Sequence, residues 1–291
     1  MNSKWTVEEY FEDDTRLNAS AINTFIRRGA NYYRAKYVDK MIEEPDSQAF
    51  VIGRMFHCIL LEPDQFDKRF VVAPDVDRRT KAGKAEWEAF MQSLDGSKNV
   101  TCVTTDDCEQ VFAMVDAVRG HDYASDLLNA DIERICETPI LFEHLGVPAK
   151  ALPDIVLPKS QLIVDVKTIS SAGKSIGAAA SPSSFRKSVE SFGYHRQARW
   201  YQLACAHAWG TEFGFLFLVV ESKPPFDVAC YLMSQELLSI AQKEIDEAVT
   251  DIAKRAMVNR WESEWSRGAL LLHPSKYYVP YKAERGILDY E

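Results

Sequence analysis

Asp154, Asp165 and Lys167 have the types and spacing that could do chemistry. Asp165 and Lys167 stand two apart in the apolar run Leu162-Ile163-Val164-Asp165-Val166-Lys167, and residues two apart on a strand share a face. A turn at Pro158-Lys159-Ser160 predicts that the segment holding Pro153-Asp154 folds back on that strand as an antiparallel hairpin. Asp154 then comes alongside Asp165. Two carboxylates and one ammonium placed this way can hold a hard divalent cation such as Mg²⁺ while the lysine orients or deprotonates a water. An Asp-x-Lys triplet is common, and the plain alternative is a solvated strand face with an ion pair across it. The apolar flank favours use, because charge on a central strand is costly unless it serves something.

Further residues could join this cluster. Gln197 and Tyr201 are four apart in Tyr194-His195-Arg196-Gln197-Ala198-Arg199-Trp200-Tyr201 and so share a helix face, with Arg196 and Arg199 nearby. His57, in Gly53-Arg54-Met55-Phe56-His57-Cys58, has apolar neighbours on both sides. Taken singly, the octamer could be an ordinary helix surface and His57 a core histidine.

The elements that must position these groups fall into two halves. Residues 16–130 read as helical: a helix capped by Ser20 and running through Ile22, Phe25, Ile26 and Tyr33; one over 48–61 stopped by Pro63; one around 87–94; and one over 105–118 whose apolar face is Val111, Met114, Val115 and Val118. Residues 131–266 turn β-rich, with strands over 132–142, 149–157 (interrupted at Pro153) and 161–168. A helix over 194–209, strands over 212–220 and 226–233, and a long helix from Gln235 towards Trp265 complete this half. Ser170 to Ser184, rich in Ser, Ala and Gly, reads as a mobile loop, and 267–291 as a tail packing on the body or on a neighbouring subunit. The expected fold is α/β (α+β), a central mixed β-sheet flanked by helices within one domain over 1–291.

Net charge over the 291 residues is −9, which argues against a nucleic-acid ligand until it is resolved by segment. Residues 16–84 carry +4 and 148–210 carry +5, while 85–147 carry −10. The candidate residues all fall in the basic segments, which suits an acidic exterior around a basic path. The six cysteines include no C-x-x-C pair, which favours buried free thiols. With no apolar leader and no membrane-length apolar run, a cytoplasmic protein is expected.

Taken together and in this order, Gly53-Arg54-Met55-Phe56-His57 with Leu60-Leu61-Glu62-Pro63, Pro153-Asp154, Asp165-Val166-Lys167-Thr168 and Tyr194-His195-x-Gln197-x-x-x-Tyr201 resemble the PD-(D/E)XK nuclease superfamily, and within it the RecE-type exonuclease VIII group. The likeness runs from about Ser20 to about Met233 and implies a restriction-endonuclease-like core. It implies metal binding by His57, Asp154, Asp165 and the Val166 carbonyl, with Mg²⁺ as cofactor and Mn²⁺ as substitute. It further implies a water positioned by Lys167, and support from Gln197 and Tyr201. The implied activity is digestion of linear duplex DNA from its 5′ ends, exposing 3′ strands for a single-strand annealing recombinase, by a ring-shaped oligomer in a bacterial cytoplasm. Leu152 stands where a basic residue is expected. Arg78, Arg79, Lys81, Lys84, Arg196 and Arg199 are candidate DNA contacts, as are Arg27, Arg28, Arg186 and Lys187; solvated surface is their alternative. Two other readings are an inactive DNA-end-binding module that recruits an annealing protein, and a helicase-linked or CRISPR-associated nuclease. The latter's iron–sulfur cluster needs cysteines near the C-terminus, and none follows Cys230.

Overall fold

The computed structural model describes residues 5–94, 100–129, 131–170, 178–263, 269 and 271–274. In chain order the helices are α1 (Val7–Glu12), α2 (Ala19–Arg28), α3 (Ala30–Tyr33), α4 (Gln48–Leu61), α5 (Phe66–Arg69), α6 (Lys81–Ser93), α7 (Thr105–Gly120), α8 (Asp122–Leu127), α9 (Pro182–Phe192), α10 (Tyr194–Trp209) and α11 (Gln235–Val258). The strands are β1 (Phe70–Val72), β2 (Thr101–Val103), β3 (Ile135–Cys136), β4 (Ile140–His144), β5 (Val147–Ala151), β6 (Ile155–Leu157), β7 (Leu162–Ile169), β8 (Gly214–Glu221) and β9 (Val228–Leu232).

Five strands form the central sheet in the order β3-β6-β7-β8-β9. The β7–β8 pair is parallel and the other pairs are antiparallel, so the sheet is mixed. Strand alternation divides the core. Ile163, Phe215, Phe217 and Val219 pack with α2, α9, α10 and α11 on one face. Val164, Val166, Leu216, Leu218 and Val220 pack with α4, α7 and α8 on the other. Because β7 is covered on both faces, Asp165 and Lys167 project into the α10 layer and not into solvent.

The helices over 48–61 and 194–209 match the sequence reading, and the antiparallel β6–β7 hairpin turns where expected. Several boundaries differ. Asn18, not Ser20, caps α2 by accepting from the Ala21 N–H, and Gly29 at φ 83° separates α2 from α3. Thr80 caps α6, so that helix begins well before Trp87. The strand expected over 132–142 is two short ones, β3 and β4; β4 pairs with β5 outside the central sheet. Helix α11 ends at Val258, where Asn259 takes the left-handed conformation. Part of the loop expected over 170–184 is helix, since α9 starts at Pro182. Residues 171–177 of that loop, and all of the tail expected over 267–291 except 269 and 271–274, lie outside the described residues.

Candidate metal centre

The centre forms where pairing between β6 and β7 runs out. The last β6 pair is Ile155 with Val164, so the next stretch of β7 backbone must find partners elsewhere. Asp154 supplies one: its Oδ2 accepts from the Val166 N–H at 2.7 Å. His57 supplies the other, its Nε2 lying 3.0 Å from the Val166 carbonyl oxygen. Helix α4 can bring His57 this close because Gly53 faces Thr168; a Cβ there would lie 3.3 Å from the threonine Oγ1. The Val166 carbonyl, expected as a metal ligand, here faces the imidazole.

The other ring nitrogen of His57 faces two carboxylates, with Nδ1 at 3.7 Å from Asp154 Oδ2 and 3.9 Å from Glu137 Oε1. His57, Glu137 and Asp154 each offer a ligand atom, and these atoms lie within 4.8 Å of one another. Glu137 was not anticipated. It follows β3 at φ 43°, and its N–H donates to the Asp154 carbonyl at 3.1 Å. The only signal was an acid two residues before Pro139, hidden by reading 132–142 as one continuous strand.

Asp165 is fully buried, and neither carboxylate oxygen accepts a well-aligned hydrogen bond among the described residues. Its Oδ2 pairs with the Lys167 ammonium, which also lies 5.1 Å from the Tyr194 ring centroid. The His57–Glu137–Asp154 cluster, with the buried Asp165 carboxylate within electrostatic range of Asp154 and His57, is a donor set that fits a hard divalent cation. Burial raises the Asp154 pKa, and raises that of Asp165 to about 6 despite Lys167. Burial opposes charge on Lys167, but Asp165 and Asp154 outweigh it and hold the ammonium above its usual value. His57 follows the same logic, lifted to about 9 by Asp154 and Glu137 against its burial.

Helix α10 closes this side of the cluster. Gln197 Nε2 donates to the Tyr201 hydroxyl at 3.1 Å, and the phenol is kept protonated by burial and by the nearby Tyr10, Asp165 and Asp154. Arg196 and Arg199 do not join them. Helical twist turns Arg196 off the Gln197 face into a buried pocket, where it binds Glu244 at 2.7 Å and Asn23 at 2.8 Å. Arg199 bonds Gln242 at 2.6 Å and Gln202 at 3.3 Å. Both pin helices together, Arg196 buried and so turned away from any DNA surface, Arg199 half-buried.

Arg78, Arg79, Lys81 and Lys84 are exposed around the start of α6. Arg78 lies over the Trp87 ring at 4.5 Å and Arg79 is bound to Asp77. Arg186 and Lys187 are exposed on α9, while Arg27 and Arg28 lie over Phe192 and Tyr32.

The comparisons with known proteins agree with this architecture. No curated protein matches the sequence. A candidate exonuclease from Eubacterium rectale, known from its crystal structure, superposes at a TM-score of 0.61 over 94% of this chain and 97% of its own, with 14% identity. That likeness shows that the two chains share a fold. A second solved structure, SSO0001, covers 67% of this chain and 85% of its own at 12% identity, and its TM-score of 0.26 is too low to bear on the fold. The family described as "PDDEXK-like domain of unknown function (DUF3799)" matches residues 19–264, from the start of α2 to beyond α11. Sheet, metal cluster and sequence match therefore converge, and the chain belongs to this PDDEXK-like family.

Proposed function

We propose that the protein is a divalent-metal-dependent exodeoxyribonuclease that degrades linear duplex DNA. The observation that carries this reading is the convergence of His57, Glu137 and Asp154 beside the buried Asp165–Lys167 pair. Membership in the PDDEXK-like family supports the coarser statement, a nuclease. A bound cation would polarise a phosphodiester and make a neighbouring water more acidic. The chain's own residues do the remaining work. Asp154 and Asp165 would hold the cation together with Glu137 and His57. Lys167 presents positive charge to the phosphate from a layer that excludes water, where that charge acts most strongly. Gln197 and Tyr201 offer neutral donors on the adjoining helix face. Mg²⁺ as the cation, attack from the 5′ end, ring assembly and supply of 3′ strands to an annealing recombinase extend the same proposal from the RecE-type likeness.

The test is an end-labelled linear duplex incubated with Mg²⁺ or with chelator. Wild type is expected to degrade it only with metal, and Lys167→Ala to lose at least about 100-fold in rate, the scale of removing one electrostatic stabiliser. Binding without cleavage would replace the nuclease by an inactive end-binding protein. Activity that survives both Lys167→Ala and Asp165→Ala would remove the site.

A further inference from the structure

From Lys167 a chain of aromatic rings leads to the surface. The Lys167 ammonium lies 5.1 Å from the Tyr194 ring centroid. Tyr194 stands on core rings, its centroid 5.9 Å from that of Phe217 and 6.3 Å from that of Phe185, both of them buried. Its other aromatic neighbour is Phe192, at 5.6 Å with the two planes 29° apart, a stacked pair. Phe192 is 48% exposed, and the exposed Arg27 of α2 sets its guanidinium carbon 5.7 Å from that ring's centroid. A cation therefore marks each end of this ledge, one beside the buried Asp165 and one in solvent.

The turn that presents Phe192 is tied down on both sides. Gly193 joins α9 to α10 at φ 73°, a left-handed conformation that glycine adopts without strain. A Cβ there would lie 2.2 Å from both Arg196 Nη2 and Asn23 Oδ1, so no side chain fits. Asn23 grips the turn: its Nδ2 donates to the Phe192 carbonyl, and its Oδ1 accepts from Arg196 Nε at 2.8 Å. Arg196 is held in turn by Glu244 at 2.7 Å. A lone exposed phenylalanine would be ordinary surface. This one sits on a fixed turn, is stacked on the ring that neighbours Lys167, and has a guanidinium beside it, which together suit a nucleotide: ring meets base, and cations meet the phosphates on either side.

Resting on the nuclease reading, we propose that Phe192 is a substrate-binding residue on which an unpaired base of the DNA end stacks, while Lys167 meets the phosphate on one side of that nucleotide and Arg27 the phosphate on the other. Tyr194 positions the ring, since it neighbours both Phe192 and Lys167. In an intact duplex the faces of a base are covered by its neighbours in the stack, so the ledge takes a nucleotide splayed out of the helix. Splaying costs unpairing energy, which stacking on the ring offsets in part.

The experiment crosses wild type, Phe192→Leu and Phe192→Trp with linear duplexes that are intact or lack one base, at the first, second or third nucleotide of the digested strand. Binding is measured by fluorescence anisotropy with Ca²⁺ replacing Mg²⁺, KM with Mg²⁺, and metal affinity by Mn²⁺ calorimetry. On the intact duplex Phe192→Leu is expected to weaken binding and raise KM about 5- to 10-fold, and Phe192→Trp to retain wild-type binding. At one abasic position wild type is expected to fall to the level of Phe192→Leu and the variant to lose nothing further, because ring and base form one contact. If wild type cleaves and Phe192→Leu equals it on the intact duplex, the ledge fails and the nuclease reading stands. A loss for Phe192→Leu that persists undiminished at every abasic position, or that comes with weaker Mn²⁺ binding, would make the ring a support for the metal centre and overturn the proposal. If wild type neither binds nor cleaves, both readings fail.

Discussion

Burial alone would leave the His57 imidazole neutral, yet Asp154 and Glu137 outweigh it and lift its pKa to about 9. Burial also raises Asp165, to about 6, although Lys167 pulls the other way. Linkage turns these shifts into a pH dependence of known sign. In chelated protein the His57 contribution is complete below its ordinary value of 6.5 and is lost as pH rises through about 9. The raised Asp165 favours the folded state at pH below its ordinary value of 3.8, and that contribution is lost as pH rises through about 6. A cation requires both groups deprotonated, so the stabilisation produced by a fixed Mg²⁺ concentration is expected to grow from pH 6 to pH 9. A thermal-shift series across that range checks it, and a pH-independent shift would take these groups out of the metal site. Glu137→Gln is expected to weaken Mn²⁺ binding at least about tenfold by calorimetry and, in chelator below about pH 9, to lose only the part of the stability that Glu137 adds through His57. Asp154, Asp165 and Lys167 were legible in the sequence because strand alternation and one tight turn determine where they meet. Glu137 was not, because the bend that aims it depends on β3 stopping after two residues and pairing with β6.

A side chain at Gly53 would crowd Thr168 of β7, its Cβ lying 3.3 Å from the threonine Oγ1. Gly53→Val is expected to push the helix off Thr168, costing about 1–3 kcal/mol by chemical denaturation and most of the metal affinity, since His57 moves with it. At the far side, Glu244 joins α11 to α10 by accepting from Arg196 at 2.7 Å and facing His195 Nε2 at 3.0 Å. Glu244→Ala leaves the buried guanidinium with Asn23, and a loss of about 1–3 kcal/mol is expected, measured by the same method. Helices α4 and α10 could be read from the sequence, the first from its apolar spacing and the stop at Pro63. Helix α9 could not, because its composition is that of a loop and its partners, Phe217 and Tyr231, come from distant strands. The same limit explains Arg196: its neighbours in sequence suggest a basic surface, and only the packing of α2 and α11 shows that it is enclosed.

Across the whole molecule the net charge of −9 and the exposed basic group at the start of α6 point in opposite directions. If Arg78 and Lys84 touch phosphate, the Arg78→Glu, Lys84→Glu double variant will flatten the plot of log affinity against log salt, by about one unit of slope for each phosphate no longer neutralised. An unchanged slope would return them to plain surface. No helix among the described residues is long and apolar enough to cross a membrane. The turn at Pro158–Gln161, closed by the Gln161 N–H on Pro158 O at 3.2 Å, links β6 and β7 across the centre. One residue inserted there could be absorbed by sliding β7 past β6, with its valines and isoleucines still fitting an apolar layer. That slip would carry Asp165 and Lys167 to the α4 face and put valines where the ligands belong. Natural relatives of this chain should therefore vary in length almost anywhere on the surface before they vary in this turn, and a variant with that single insertion should fold yet hold no metal.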